Sequence, residues 1–207
     1  MLPEDKEKKT INVKDNILEK AIEVFSKHGY EGTSTRMISE AAKVNISALH
    51  YYWGDKWNLY QASLIRVNKR IHKMHLKIGE KIRFCSIEEK IDIAVKDMTD
   101  FFLDNPEGSS LILEVLHVNQ NSKNEIDDEV KKSIYKNLSE VFNILYSETE
   151  PSKERMFEAF AITYLFYNLI KGKAYFQQVL SITDEEYKNY INNVIKKRFA
   201  CILNEGN

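Results

Sequence analysis

Apolar residues recur along this chain at three- and four-residue intervals almost from end to end, the spacing of one face of an α-helix. Ile17, Ala21, Ile22 and Phe25 make the first stripe and predict a helix starting near Val13 or Lys14. Gly29 follows as a left-handed stop, with Tyr30 able to fold back on the core. Ser34 has the chemistry of a helix cap, because its hydroxyl can accept from the first free amides of a second helix. Ile38, Ala41 and Ala42 would be the buried side of that helix. Asn45 repeats the capping chemistry for a third, with Ile46, Leu49 and Trp53 as its apolar positions. Gly54-Asp55 then ends the third helix and caps a fourth, which runs from about Lys56 towards Lys81.

The same pattern continues to the C-terminus. Ser86-Ile87-Glu88-Glu89 reads as a capping box, opening a helix that buries Ile91, Val95, Met98, Phe101 and Phe102 and stops at Asn105-Pro106. Further helices are predicted over 107–118 and 125–146, and a long aromatic-rich pattern runs from Lys153 to about Leu180. Thr183-Asp184-Glu185-Glu186 is a second capping box and opens the last helix, with Tyr187, Ile191, Val194, Ile195 and Phe199 along it. With only 7 Gly and 3 Pro, the chain has too few turn formers for a many-stranded β fold. The expected class is all-α.

The segment from Ser34 to Leu59 is the most specific part of this pattern. Two short helices meet at a tight corner, which is the layout of a helix-turn-helix that sets its second helix in the major groove of DNA. Net charge is −1, but its distribution is uneven. Between residues 61 and 83, seven basic residues (Arg66, Lys69, Arg70, Lys73, Lys77, Lys81, Arg83) face Glu80 alone. DNA binding needs such a local basic surface rather than a basic chain, although a solvated helix face would look the same. No apolar run approaches the ~20 residues that cross a bilayer. MLPEDKEKKT has no apolar core and argues against a secretory signal. Cys85 and Cys201 form no metal-type spacing, so a reduced, cytoplasmic location is expected, with no membrane partner.

The matching features Ala21, Phe25, Gly29-Tyr30, Thr33 to Ile38, Ala41 to Asn45 and Leu49 to Leu59 are spread over three helices. Residues 17–59 resemble the N-terminal module of the TetR/AcrR family of transcriptional regulators. The resemblance implies about nine helices: a DNA-binding domain over 13–60, a connecting helix from about 56 to 81, and a domain over 84–205 that binds an effector and dimerises. Departures from the family pattern are Lys43 for a corner glycine, Ser47 and Ala48 for Gly and Thr, His50 for Tyr, and Met37 for an acidic residue.

Chemistry divides the expected DNA contacts. Phosphate contacts need donors at the rim, and Thr33, Arg36, Tyr52 and Lys56 qualify, Lys56 lying beside the free amides that start the fourth helix. Base contacts need short or amide-bearing side chains on the third helix, which selects Asn45, Ser47, Ala48 and Tyr51, with Lys43 in addition and His50 more as a packing substitute. The resemblance assigns Tyr52 to phosphate and Tyr51 to the groove. Each of these has a bland alternative, core packing for the aromatics and a solvated surface for Arg36.

For the C-terminal half the resemblance implies an enclosed effector pocket and a dimer seam made by the last two helices. Phe101, Phe102, His117, Tyr135, Phe142, Tyr164 and Tyr167 are pocket candidates for an aromatic or lipophilic ligand. Phe157, Phe160, Ala161, Tyr164, Ile191, Val194, Ile195 and Phe199 are seam candidates. Ordinary core is the alternative for each. His72 and His75 lack a third ligand, so no metal is expected, and no cofactor either.

The function expected is a homodimeric regulator, a repressor that leaves a palindromic duplex operator when a small molecule binds. The alternative is a DNA-binding adaptor or architectural protein whose C-terminal helices hold a protein partner. An enzyme ranks last, since the chain lacks G-x-G-x-x-G, a P-loop, H-E-x-x-H and a nucleophile elbow.

Overall fold

The structure, a computed structural model of the 207-residue chain, describes residues 3–117, 128–146 and 152–204. The described residues form ten helices and no strand. They are α1 (Pro3–Gly32), α2 (Thr35–Ala42), α3 (Ile46–Trp53), α4 (Lys56–Ile82), α5 (Ile87–Asp104), α6 (Pro106–His117), α7 (Asp128–Tyr146), α8 (Lys153–Lys171), α9 (Lys173–Leu180) and α10 (Asp184–Asn204). The all-α class agrees with the periodicity, and the two capping boxes close as the side-chain chemistry requires. Ser86 Oγ accepts from Glu89 N while the Glu89 carboxylate accepts from Ser86 N at 2.8 Å, and Thr183 and Glu186 repeat the exchange.

Three departures from the pattern have physical causes. First, α1 begins at Pro3, because the charged stretch ahead of Val13 carries no apolar stripe to reveal it. Second, α1 is interrupted at Gly29, where φ is 69° and ψ is 174°. This glycine has the positive φ expected of a stop, but its ψ is extended, a combination open essentially to glycine alone. Third, the Lys153–Leu180 pattern breaks at Gly172 into α8 and α9, which supplies the tenth helix. A Cβ at Gly172 would lie 2.8 Å from the Phe176 ring and 3.1 Å from the Asn168 carbonyl, so the break permits a close approach.

Contacts group these helices into two units. The first holds α1–α3 with α4 as far as Val67, α6 from Ser110 and α7 as far as Lys131; the second holds the remainder. The C-terminal half of α6 groups with the N-terminal helices.

In the first unit, α1 packs on α2 and α3; Ile17, Leu18, Ala21, Ile22 and Phe25 of α1 are buried, as are Ile38 and Ala42 of α2, Leu49 of α3 and Leu59 of α4. Burying each such large side chain stabilises the fold by roughly 1.5–3 kcal/mol. Asn16 Nδ2 donates to the Ala42 carbonyl at 2.8 Å and ties α1 to the end of α2. Ala41 is exposed, against expectation, and Ser39 takes the buried position beside Ile38. Tyr30, Trp57 and Tyr60 cluster beside Phe25, Tyr30 stacked on it and Tyr60 edge-on, with centroids 5.0–6.2 Å apart. The other tryptophan, Trp53, lies under the Lys14 ammonium at 4.8 Å.

In the second unit, α10 lies against α5 and α8. Ile91, Val95 and Phe102 of α5 and Ile191, Ile195 and Phe199 of α10 are buried, as are Phe166, Tyr167 and Ile170 of α8. The Asn137 amide donates to both the carbonyl and the side chain of Asn68, a buried polar pair.

Candidate nucleic-acid interface

The corner between α2 and α3 is held by backbone and caps. Ser34 Oγ accepts from Met37 N at 3.2 Å, and Asn45 Oδ1 accepts from Ala48 N at 2.7 Å. Lys43 ends α2 in the left-handed region, with φ 55° and ψ 43°. A lysine pays about 1–2 kcal/mol for that conformation where glycine pays none. Val44 N then donates to Ser39 O at 3.0 Å and closes the turn.

This corner leaves one face of α3 open. Asn45 and Ser47 are exposed, Ala48 is half-buried, and Tyr51 stands 81% exposed with its ring edge-on to Tyr52 at 5.0 Å. Leu49 is fully buried and anchors the opposite face, while Ile46, expected inside, is exposed. Because the Asn45 oxygen is spent on the cap, its outward group is a pure donor, suited to a base or phosphate acceptor rather than to a bidentate adenine contact. His50 Nδ1 sits 2.7 Å from the Gly54 carbonyl, so the ring serves the end of α3. Arg36 is exposed and pairs with Glu40 at 2.8 Å, an exchange that a phosphate could displace cheaply.

Two residues expected at phosphates are occupied elsewhere. Thr33 is buried, and its hydroxyl donates to the Gly29 carbonyl at 2.7 Å. Lys56 turns inward: its ammonium donates to the carbonyls of Tyr30 and Thr33 at 2.8 and 2.9 Å and lies 4.1 Å from the Tyr30 ring. Gly29 breaks α1 just before its end, where the last-turn carbonyls lack full helical pairing and Tyr30 O accepts from Thr33 N at a long 3.3 Å. Asp55 Oδ1 meanwhile accepts from Asn58 N at 2.8 Å, capping α4.

Sequence reasoning missed a third member of this cluster. Glu114, on α6, accepts from Tyr30 N at 2.5 Å. Burial, reinforced by the Glu114 charge, raises the pKa of the Tyr60 hydroxyl well above its ordinary value. No local pattern announces a partner 84 residues away. Arg66 was likewise legible only as part of a basic run; it pairs with Asp15 at 2.6 Å and Glu19 at 3.0 Å.

The candidate ligand residues of the second unit do not converge. Phe101 lines a cleft of about 410 Å³ along α4 and α5. Phe102 and Tyr167 are core, with rings edge to face at 5.0 Å, while Tyr135 and Tyr164 are exposed. The side chains of His117 and Phe142 lie outside the described residues. Of the seam candidates, Phe157, Ala161, Tyr164 and Val194 are exposed and Phe160 is half-buried. Ile191, Ile195 and Phe199 are not available to a partner, because α10 spends that face on its own α5 and α8.

A capped helix-turn-helix, in a chain whose described elements are all helices, defines a class of DNA-binding fold. The model of the bacterial regulatory proteins of the tetR family matches residues 17–62. The chain is 30% identical over 94 residues to the HTH-type transcriptional repressor NicS of Pseudomonas putida, covering 45% of this chain and 43% of that protein. It is 41% identical over 102 residues to the HTH-type transcriptional repressor AcnR of Corynebacterium glutamicum, covering 44% of this chain and 54% of that protein. The chain thus spans about half the length of the curated relatives it matches. A TetR-like transcriptional regulator from Rhodococcus sp. RHA1 shares the fold over 91% of this chain and 96% of its own, with a TM-score of 0.63 at 16% identity. Residues 17–62 thus match the tetR-family module, and the chain shares the fold of TetR-like regulators.

Proposed function

We propose that the chain is a homodimeric DNA-binding transcriptional regulator, a repressor that a small aromatic or lipophilic effector releases from a palindromic operator. The observation that carries this reading is the open face of α3, with Asn45, Ser47 and Tyr51 presented on a helix fixed by caps at both ends. Lys43, Arg36 and Tyr52 flank it as further contacts. Two such modules read half-sites about 34–36 Å apart, so the regulator acts as a pair. Support for pairing comes from apolar side chains left in water: Phe157, Ala161 and Tyr164 on α8, and Tyr190 and Val194 on α10.

Reversing operator occupancy from 99:1 to 1:99 asks of the effector a preference of about 10⁴-fold, ~5.5 kcal/mol, for the released state. Duplexes selected from a random pool by the purified chain should share a dyad and shift in a mobility assay. Failure to retain any duplex in dilute salt overturns the reading. Val194→Arg should yield a monomer in analytical ultracentrifugation and weaken binding to the full dyad far more than to a half-site.

A second reading, an adaptor that presents its C-terminal helices to a protein partner, draws on α9. That helix buries none of its residues and exposes Tyr175, Val179 and Leu180. Chromosomal occupancy separates the two: a few promoters for the regulator, many sites for the adaptor.

A further inference from the structure

The cleft along α4 and α5 combines two features that do not ordinarily meet in a packed core. Its floor is apolar, formed by Met74 and Ile78 of α4, both buried, and the half-buried Phe101 of α5. Its rim is charged: Arg70, Lys73, Lys77 and Lys81 on one side, Asp97 and Asp100 on the other.

The acids are already matched. Lys81 pairs with Asp97 at 2.5 Å, and Asp100 pairs with Lys188 of α10. Arg70 lies 3.8 Å from Glu107. Lys73 and Lys77 remain, both exposed, and neither forms an ion pair among the described residues. They stand one helical turn apart, inside a ladder Lys69, Lys73, Lys77, Lys81 at strict four-residue spacing. Like charges at that spacing repel and destabilise a helix. Asp97 offsets Lys81, and the repulsion between Lys73 and Lys77 is one that a bound anion would relieve.

We propose that this cleft binds an anionic amphiphile, with a carboxylate or phosphate head held by Lys73 and Lys77 and an alkyl or aryl tail laid on Met74, Ile78 and Phe101. The volume lies within the roughly 300–1,000 Å³ range of small-molecule sites. An apolar floor beneath paired ammonium groups suits such a molecule better than either half alone. A nucleic-acid backbone would use the cations but leave the floor wet, and an uncharged lipophile would leave the cations unused. Identifying this cleft with the effector site rests on the sensing half of the function proposed above; binding itself does not.

The test uses the full chain labelled with [¹³C-methyl]methionine, with the Met74 resonance assigned through Met74→Leu. Laurate, monododecyl phosphate, 1-dodecanol and acetate are titrated below micelle formation, with affinity read by calorimetry. Laurate or the phosphate ester should move the Met74 methyl, and the stronger of the two identifies the head group. Dodecanol and acetate should bind at least about tenfold more weakly, a difference of ~1.4 kcal/mol. The K73Q/K77Q double variant should lose at least tenfold in laurate and phosphate-ester affinity. Its Tm should be unchanged or higher, since repulsion is relieved and the fold is left intact.

Equal affinity for dodecanol, undiminished laurate binding by K73Q/K77Q, or a Met74 methyl that neither anion moves would each overturn the proposal. So would co-sedimentation with phosphatidylglycerol vesicles in the absence of any response to the free amphiphiles, which would assign the lysines to a membrane surface. Duplex retention is measured on the same samples without ligand. Failure of the cleft then leaves DNA binding in place, and failure of DNA binding leaves amphiphile affinity in place.

Discussion

Two lysines in the helix-turn-helix module carry the same charge and do opposite work. Lys43 sits in a left-handed turn with its side chain in solvent, while Lys56 points inward onto two backbone carbonyls. Lys43→Ala and Lys43→Gly each remove one cation and should lower the salt slope of duplex binding by about one. Only glycine relieves the backbone, and it should raise stability by about 1 kcal/mol in urea unfolding. Lys56→Ala should leave the salt slope unchanged and cost about 1–3 kcal/mol of stability, because charge-assisted bonds to buried carbonyls are lost. A reduced slope for Lys56→Ala with stability intact would return that residue to the phosphate rim. Residue type alone could not separate these roles. A lysine at the start of a helix is a sound anion donor until a broken helix nearby offers it carbonyls.

At the scale of elements, caps were legible and breaks were not. Ser34, Asn45, Asp55, Ser86 and Thr183 all accept from backbone amides at helix starts, because capping is chemistry confined to four consecutive residues. The split at Gly172 was hidden, since apolar periodicity continues across it. Its cause is tertiary: Phe176 crosses the glycine and stacks on Tyr187 at 6.3 Å. Gly172→Ala should therefore displace a ring that is held on its far side, at a cost of about 1–3 kcal/mol. The melting temperature should fall by about 2–4 °C for each kcal/mol lost. A variant as stable as the parent would mean that Phe176 swings away freely. Burial along α10 was open to two readings for a related reason. Ile191, Ile195 and Phe199 form a stripe that fits an intermolecular seam as well as an intramolecular one, and only the position of α5 decides between them.

For the whole molecule, stability should depend on pH through one buried side chain. His75 on α4 is buried, and its Nδ1 has no partner among the described residues. Burial, assisted by the neighbouring His72, pushes its pKa down to about 4 from the ordinary 6.5. Between those values the unfolded chain holds the proton and the folded chain does not, so stability falls as pH drops through that window. His72 itself contacts the Glu140 carboxylate at 2.6 Å. Urea midpoints at about pH 7 and about pH 5 should differ for the parent and converge for His75→Leu. An undiminished difference in the variant would assign the effect elsewhere. The fold class and the DNA-facing helix were open to sequence reasoning because they repeat local rules. Glu114 against Tyr30, the pairing of Arg66 and the burial of His75 depend on partners far along the chain.

Both tryptophans of the chain, Trp53 and Trp57, flank the start of α4 within the DNA-binding module, one beneath the Lys14 ammonium and the other edge-on to Tyr30. Indole emission excited at the red edge therefore arises wholly from the module, with no contribution from the C-terminal helices. The chain carries its own optical probe: a fluorescence change caused by a molecule that contacts only the second unit would be a direct, label-free reading of communication with the first.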